Sequence, residues 1–252
     1  MCRGRPADRL DWLDFLVTDG NENYASVGPE PPLIRNHKPS NFPRLPDQEY
    51  QGVDFLGHRD IVRLFDNAQE TRDAWVNDFW ASKGKTPNWD AIGVCHQDDR
   101  GSVLLVEAKA HTGELAGGGS GAKDRDSIFR IDRALGRARD WVGASQEAKP
   151  WRTCKYYQYA NRVTSLGFLR GDLEGHHDRK LDTKLLFIYM CGDKHPGLRR
   201  GDALKGDFCP VSRAGWKLAI EAMYAELGIA SIDKKELGIH DLFIDVVKVE
   251  EC

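Results

Sequence analysis

The sequence lacks several features, and each absence closes off a class of protein. No apolar run approaches the about 20 residues that a membrane-spanning helix needs. The opening residues, MCRGRPADRL, have none of the apolar stretch of a secretory leader, so no leader is expected. Six cysteines are present (Cys2, Cys95, Cys154, Cys191, Cys209 and Cys252), and no two stand at Cys-x-x-Cys spacing. That argues against a structural zinc site and reads as reduced thiols of a cytoplasmic protein. There is no internal repeat or low-complexity tract. A strong charge of one sign is also missing. The formal net charge is -3, so the chain as a whole is not a basic nucleic-acid coat protein, although a local basic face is compatible with that total.

What is present is the composition of an ordinary globular protein, 40% hydrophobic and 30% charged over 252 residues, long enough for a sizeable core. Residues 1–57 read as an N-terminal extension: a short amphipathic helix over Ala7–Thr18, then a Pro-, Gly- and Asn-rich loop. His58–Lys83 reads as a longer helix, with Ile61, Leu64, Phe65, Ala68, Trp75 and Phe79 on one stripe. NWDAIGVCH and SVLLVEAKA read as two strands of a hairpin around the turn QDDRG. Helices are expected over Ser127–Val142 and Lys155–Leu169, and a buried strand over Lys184–Cys191. A further helix has Ser212 as N-cap and Gly228 as C-cap, and HDLFIDVVKVE makes a last strand. The order predicts a mixed α/β sheet with helices packed on it.

The stretch SVLLVEAKAH raises a chemical question, because a buried strand ends in two opposite charges. Alternation places Val103, Leu105, Glu107 and Lys109 on one face and Leu104, Val106 and Ala108 on the other. Charges beside a core are paired or bound to an ion. Glu107 and Lys109 could simply neutralise each other at the strand end. Asp90 shifts the balance, since it opens the preceding strand and hairpin pairing brings it towards Glu107. Two carboxylates brought together repel unless a cation joins them. Mg²⁺ suits one or two carboxylates plus water or phosphate oxygens, and the Ala108 carbonyl could add a ligand. Lys109 would then be a point charge beside a metal-bound water and a phosphate, a kit suited to phosphodiester hydrolysis.

Pro87, Asp90, Glu107 and Lys109 resemble the PD-(D/E)xK signature of the restriction-endonuclease-like nuclease superfamily, with Asn88 and Trp89 intervening between the Pro and the Asp. The resemblance covers about residues 58–192 as a catalytic core within a nuclease domain over 58–252. It implies a restriction-endonuclease-like mixed β-sheet flanked by α-helices. It also implies a Mg²⁺-dependent deoxyribonuclease, with Mn²⁺ able to substitute. Asp90, Glu107 and Ala108 would hold metal, Lys109 would position the attacking water, and Gln158 on the helix KYYQYANRVTSLGFL would assist. An acidic residue on the helix before the hairpin often joins such sites, and Glu70 is the candidate, although it falls opposite the apolar stripe. A homodimer is one arrangement the family uses.

Other residues carry two readings each. The segment Lys123–Lys155 holds nine Lys or Arg and five Asp or Glu. Arg130, Arg133 and Arg137 follow one side of a helix, either as a phosphate-contacting face or as a solvated face with local ion pairs. Arg162 shares a helix face with Gln158, away from the core side of Tyr156, Tyr159, Val163 and Leu166, and joins the DNA-binding candidates. His111 and Glu114 line the cleft or are merely polar. GGGSGAKD is not a phosphate loop, because Ala122 precedes Lys123 and Asp124 follows it. It reads as a mobile loop beside the site. The competing functions are a non-catalytic nucleic-acid-binding or assembly module on the same fold, and a purely structural ion-pair cluster. Restriction, repair and mobile-element roles all fit the nuclease reading.

Overall fold

A computed structural model describes residues 34–35, 52–57, 62, 65, 67–81, 86–97, 100–148, 151, 155–173, 181–192 and 211–245. The helix expected over Ala7–Thr18, the stripe residues Ile61 and Leu64, and the end of the last strand lie outside the described residues. The architecture is mixed α/β. Strands β1 (Ile34–Arg35), β2 (Ala91–Gln97), β3 (Arg100–Lys109), β4 (Asp182–Cys191) and β5 (Ile239–Asp245) lie in the order β1-β2-β3-β4-β5. β1 to β3 pair antiparallel, and β3, β4 and β5 run parallel. The expected hairpin is formed, with Ala91 opposite Val106 and Val94 opposite Val103.

The helices are α1 (Ala68–Ala74), α2 (Arg125–Trp141), α3 (Tyr157–Leu169) and α4 (Arg213–Leu227). Their caps are local. Asp124 accepts from the Ser127 N–H at 2.9 Å to start α2, and Ser212 accepts from the Gly215 N–H at 3.1 Å to start α4. Gly228 ends α4 in the left-handed conformation, at φ 70°. No described helix is long and apolar enough to cross a membrane.

Two expectations change. The helix expected to reach Lys83 ends at Phe79. After Ala74 it widens into a π turn over Trp75–Phe79, closed by the Trp80 N–H bonding the Trp75 carbonyl at 2.9 Å. The wider turn lets Trp75, Phe79 and Trp80 all enter the core, with the two indoles stacked at 5.2 Å, whereas α spacing would swing Trp80 away. The end of the segment read as an N-terminal extension also packs inside: Val53, Phe55 and Leu56 are buried in the main core.

That core lies on the face of the sheet carrying Val103, Leu105, Leu185, Phe187 and Tyr189, against the helices. Tyr159 of α3 stacks on Phe187, and Tyr189 packs on Trp216 of α4. Tyr224 of α4 and Tyr189 both donate to Asp241 of β5, at 2.7 and 3.2 Å, tying α4 to the sheet. The opposite face holds a smaller apolar cluster of Val106, Leu186, Ile188 and Leu242. Apolar side chains on both faces explain why Leu185–Ile188 is a continuous hydrophobic run. Helix α3 lies between α2 and the sheet and is buried almost all round, including the polar Asn161, Thr164 and Ser165. The hydroxyls of Thr164 and Ser165 bond back to the carbonyls of Ala160 and Asn161 at 2.7 and 2.9 Å, so their burial leaves no orphan.

Candidate active site

The hairpin register sets the site. Asp90 sits one residue before β2, and its N–H donates to the Val106 carbonyl at 3.1 Å, continuing the ladder. Its carboxylate turns along the end of β3, where Oδ2 accepts the Ala108 N–H at 2.7 Å. Asp90 therefore stands next to Glu107, as the hairpin argument expects.

Alternation along β3 sends Glu107 and Lys109 to the helix side, where they are 4% and 6% exposed. Lys109 Nζ donates to Glu107 Oε1, and to Gln158 Oε1 at 3.0 Å. Gln158 reaches Lys109 from the first turn of α3. Gly117 of the glycine-rich loop lies against the Gln158 side chain, where an added Cβ would meet Cδ at 3.4 Å. The loop thus packs on the site's edge.

The second oxygen of Glu107 is also engaged. Arg162 donates from Nε and Nη2 to Glu107 Oε2, each at 2.8 Å. Its Nη1 donates to Asn161 Oδ1 at 2.7 Å, and its guanidinium lies over the Trp89 ring at 5.0 Å. This corrects the placement of Arg162 on an exposed, DNA-facing helix side. Only 5% of the residue is exposed, because α3 is covered on both sides.

The electrostatics follow from these contacts. Burial pushes the Glu107 carboxyl up, but Arg162 and Lys109 outweigh it and leave it below the usual carboxylate range. Asp90 behaves oppositely. Much of the residue is open to solvent, yet its carboxyl is turned into the structure. Burial of that carboxyl, and then repulsion from Glu107, hold it above the usual Asp value despite the Ala108 N–H. The two carboxylates are close enough to feel each other, and only one of them has its charge fully matched.

The remaining candidates are placed less centrally. Glu114 Oε1 accepts the N–H groups of Ala110 and His111 at 3.0 and 3.2 Å, and His111 Nε2 lies 3.4 Å from it. The pair closes the short turn Thr112–Glu114 after β3, a capping role. Glu70 is exposed on α1 and is not among the groups that meet Glu107 and Lys109. Arg130 and Arg133, which read either as a phosphate-contacting face or as a solvated one, have backbone partners. They donate to the carbonyls of Asn77 and Asp78 at 2.6 and 2.8 Å, in the π turn. Helix-end carbonyls lack intrahelical partners and attract cations. Arg137 is half-buried one turn further on.

The sequence reading missed Trp89 and Asn161. Trp89 was visible as an insertion between Pro87 and Asp90, and it is fully buried with its Nε1 donating to the Gly52 carbonyl at 2.8 Å. Among the described residues no group of three or more His, Cys, Asp or Glu side chains could hold a metal ion. The oxygen donors at the site are the Asp90 and Glu107 carboxylates, with Glu107 already bonded to Lys109 and Arg162, and such hard donors fit Mg²⁺, which takes one or two carboxylates and keeps several waters. Comparison of the chain with protein-family models, with curated proteins and with solved structures found no match.

Proposed function

We propose that this protein is a metal-dependent nuclease that hydrolyses DNA phosphodiester bonds on a restriction-endonuclease-like fold. The observation that carries the reading is the meeting of Asp90, Glu107, Lys109 and Gln158 at the end of one hairpin. These four come from three separate elements.

Asp90 and Glu107, with the Ala108 carbonyl, would hold Mg²⁺ or Mn²⁺. The ion when bound supplies a Lewis acid for the phosphate and an acidified water. The chain's own groups do the rest. Lys109 has three N–H donors, of which Glu107 and Gln158 engage two. The third is left for a phosphate oxygen or the attacking water. Gln158 holds the ammonium in place, and Arg162 keeps Glu107 ionised. In the reaction a P–O bond to water forms, the bond from phosphorus to the 3′ oxygen breaks, and the leaving oxygen takes up a proton. The products then carry a 5′-phosphate.

The purely structural reading draws on the complete pairing of Glu107. Asp90 speaks against it, since a carboxyl held above its usual pKa by burial, and then by Glu107, adds no charge to a structural ion pair. A non-catalytic DNA-binding module would need no such pair either. The test is incubation of the pure protein with supercoiled plasmid in Mg²⁺, in Mn²⁺ and in EDTA. Nicking or cutting that requires metal supports the nuclease. Retardation of the DNA without cleavage, over a range of sequences and modified DNAs, supports the binding module.

A further inference from the structure

One of the two residues that interrupt the Pro–Asp spacing, Trp89, has a structural consequence. Trp89 is fully buried, is pinned through Nε1 to the Gly52 carbonyl at 2.8 Å, and forms a floor under the Arg162 guanidinium at 5.0 Å. Gly52 is itself held by its N–H bonding the Pro87 carbonyl at 2.6 Å. Above that floor, two N–H groups of Arg162 fix Glu107 Oε2 and a third bonds Asn161 Oδ1. A guanidinium is a planar fork, so fixing three of its donors and its face fixes its orientation.

We propose that Arg162, seated on Trp89, is a positioning residue of the site rather than a DNA contact. It locks one oxygen of Glu107 and so presents the other, Oε1, to Lys109 and to a divalent cation. The proposal rests on the nuclease reading. Its physical content is that an outer partner orients a ligand and tunes its basicity, an effect of about 10–100-fold in metal affinity when such a partner is lost.

The test compares the full chain with its Arg162→Lys variant, which keeps the charge and loses the fork and the stacking. Mn²⁺ affinity is measured by calorimetry without DNA. In parallel, affinity for a duplex is followed against salt concentration in EDTA. The expected result is a loss of about 10–100-fold in Mn²⁺ affinity with an unchanged salt dependence of DNA binding. A phosphate contact would instead leave Mn²⁺ binding by Arg162→Lys alone and would lower the slope of log affinity against log salt by about 1 in Arg162→Gln, which removes the charge. That outcome, or equal Mn²⁺ binding by variant and wild type, overturns the positioning role and spares the nuclease reading. A wild-type protein that binds no Mn²⁺ overturns both. Should Arg162→Lys fail to fold, Trp89→Phe keeps an aromatic floor while removing the Gly52 bond and weakening the cation–π contact. Weaker Mn²⁺ binding by that variant supports the proposal, and unchanged Mn²⁺ affinity there overturns it.

Discussion

Replacing Glu107 by Gln is the perturbation whose size the structure fixes best. The carboxylate is 4% exposed, and its two oxygens neutralise Lys109 and Arg162, themselves 6% and 5% exposed. The amide keeps the shape and removes the charge, leaving two buried cations facing a neutral group. Removing one partner of a buried ion pair costs about 3–5 kcal/mol. For a chain of this length each kcal/mol lowers Tm by about 2–4 °C, so the expected fall is about 6–20 °C. The assay is thermal unfolding followed by circular dichroism at pH 7 in EDTA. Lys109→Met gives the internal comparison, because it leaves the pairing of Glu107 with Arg162 intact and puts an apolar chain of similar length in the buried site. Its fall should be well under half that of Glu107→Gln. Glu107→Gln melting within about 2 °C of wild type would refute the picture of a buried, mutually neutralised trio. The same reasoning makes Lys109→Met, and not a Glu107 variant, the proper probe of activity in a folded protein.

Three further outcomes are expected. Asp90 is raised in the fold by burial and by Glu107, so its contribution favours the fold at low pH and is lost as the pH rises through its folded value. Asp90→Asn should therefore raise Tm at pH 7 in EDTA, and the gain should close as the pH falls below the ordinary Asp range. Equal melting at both pH values would contradict this. Gly167→Ala would bring a Cβ to 2.8 Å from both Leu173 Cδ2 and Trp141 Cε3, and overpacking of this kind costs about 1–3 kcal/mol, visible as a lowered urea midpoint. Ser212→Ala removes the α4 cap and should cost about 1 kcal/mol with an unchanged denaturant slope.

The parts of the fold that sequence reading captures are those set by local rules. Period-2 alternation placed Glu107 and Lys109 on one face, and the turn between two apolar runs placed Asp90 beside them. Ser212 and Gly228 cap α4 as their chemistry dictates. The parts it misses depend on what lies across space. Arg162 reads as exposed because polar residues on a helix usually face water, yet α3 is covered on both sides, and Arg162, Asn161, Thr164 and Ser165 find partners within the fold. Arg130 and Arg133 read as a phosphate row or a solvated face, and charge spacing does not reveal that the carbonyls of a neighbouring π turn take up one N–H of each. The π turn itself is a response to three large aromatics, Trp75, Phe79 and Trp80, competing for one core. Trp89 reads as a flaw in a short motif and in the structure carries Arg162.

The most direct test of the central claim is a time course on an end-labelled linear duplex and a supercoiled plasmid in Mg²⁺, wild type beside Lys109→Met, with both proteins first shown to be folded at the assay temperature. The expected result is cleavage by the wild type that leaves 5′-phosphate ends and stops in EDTA, and no cleavage by Lys109→Met. Cleavage by the folded variant at the wild-type rate would contradict it.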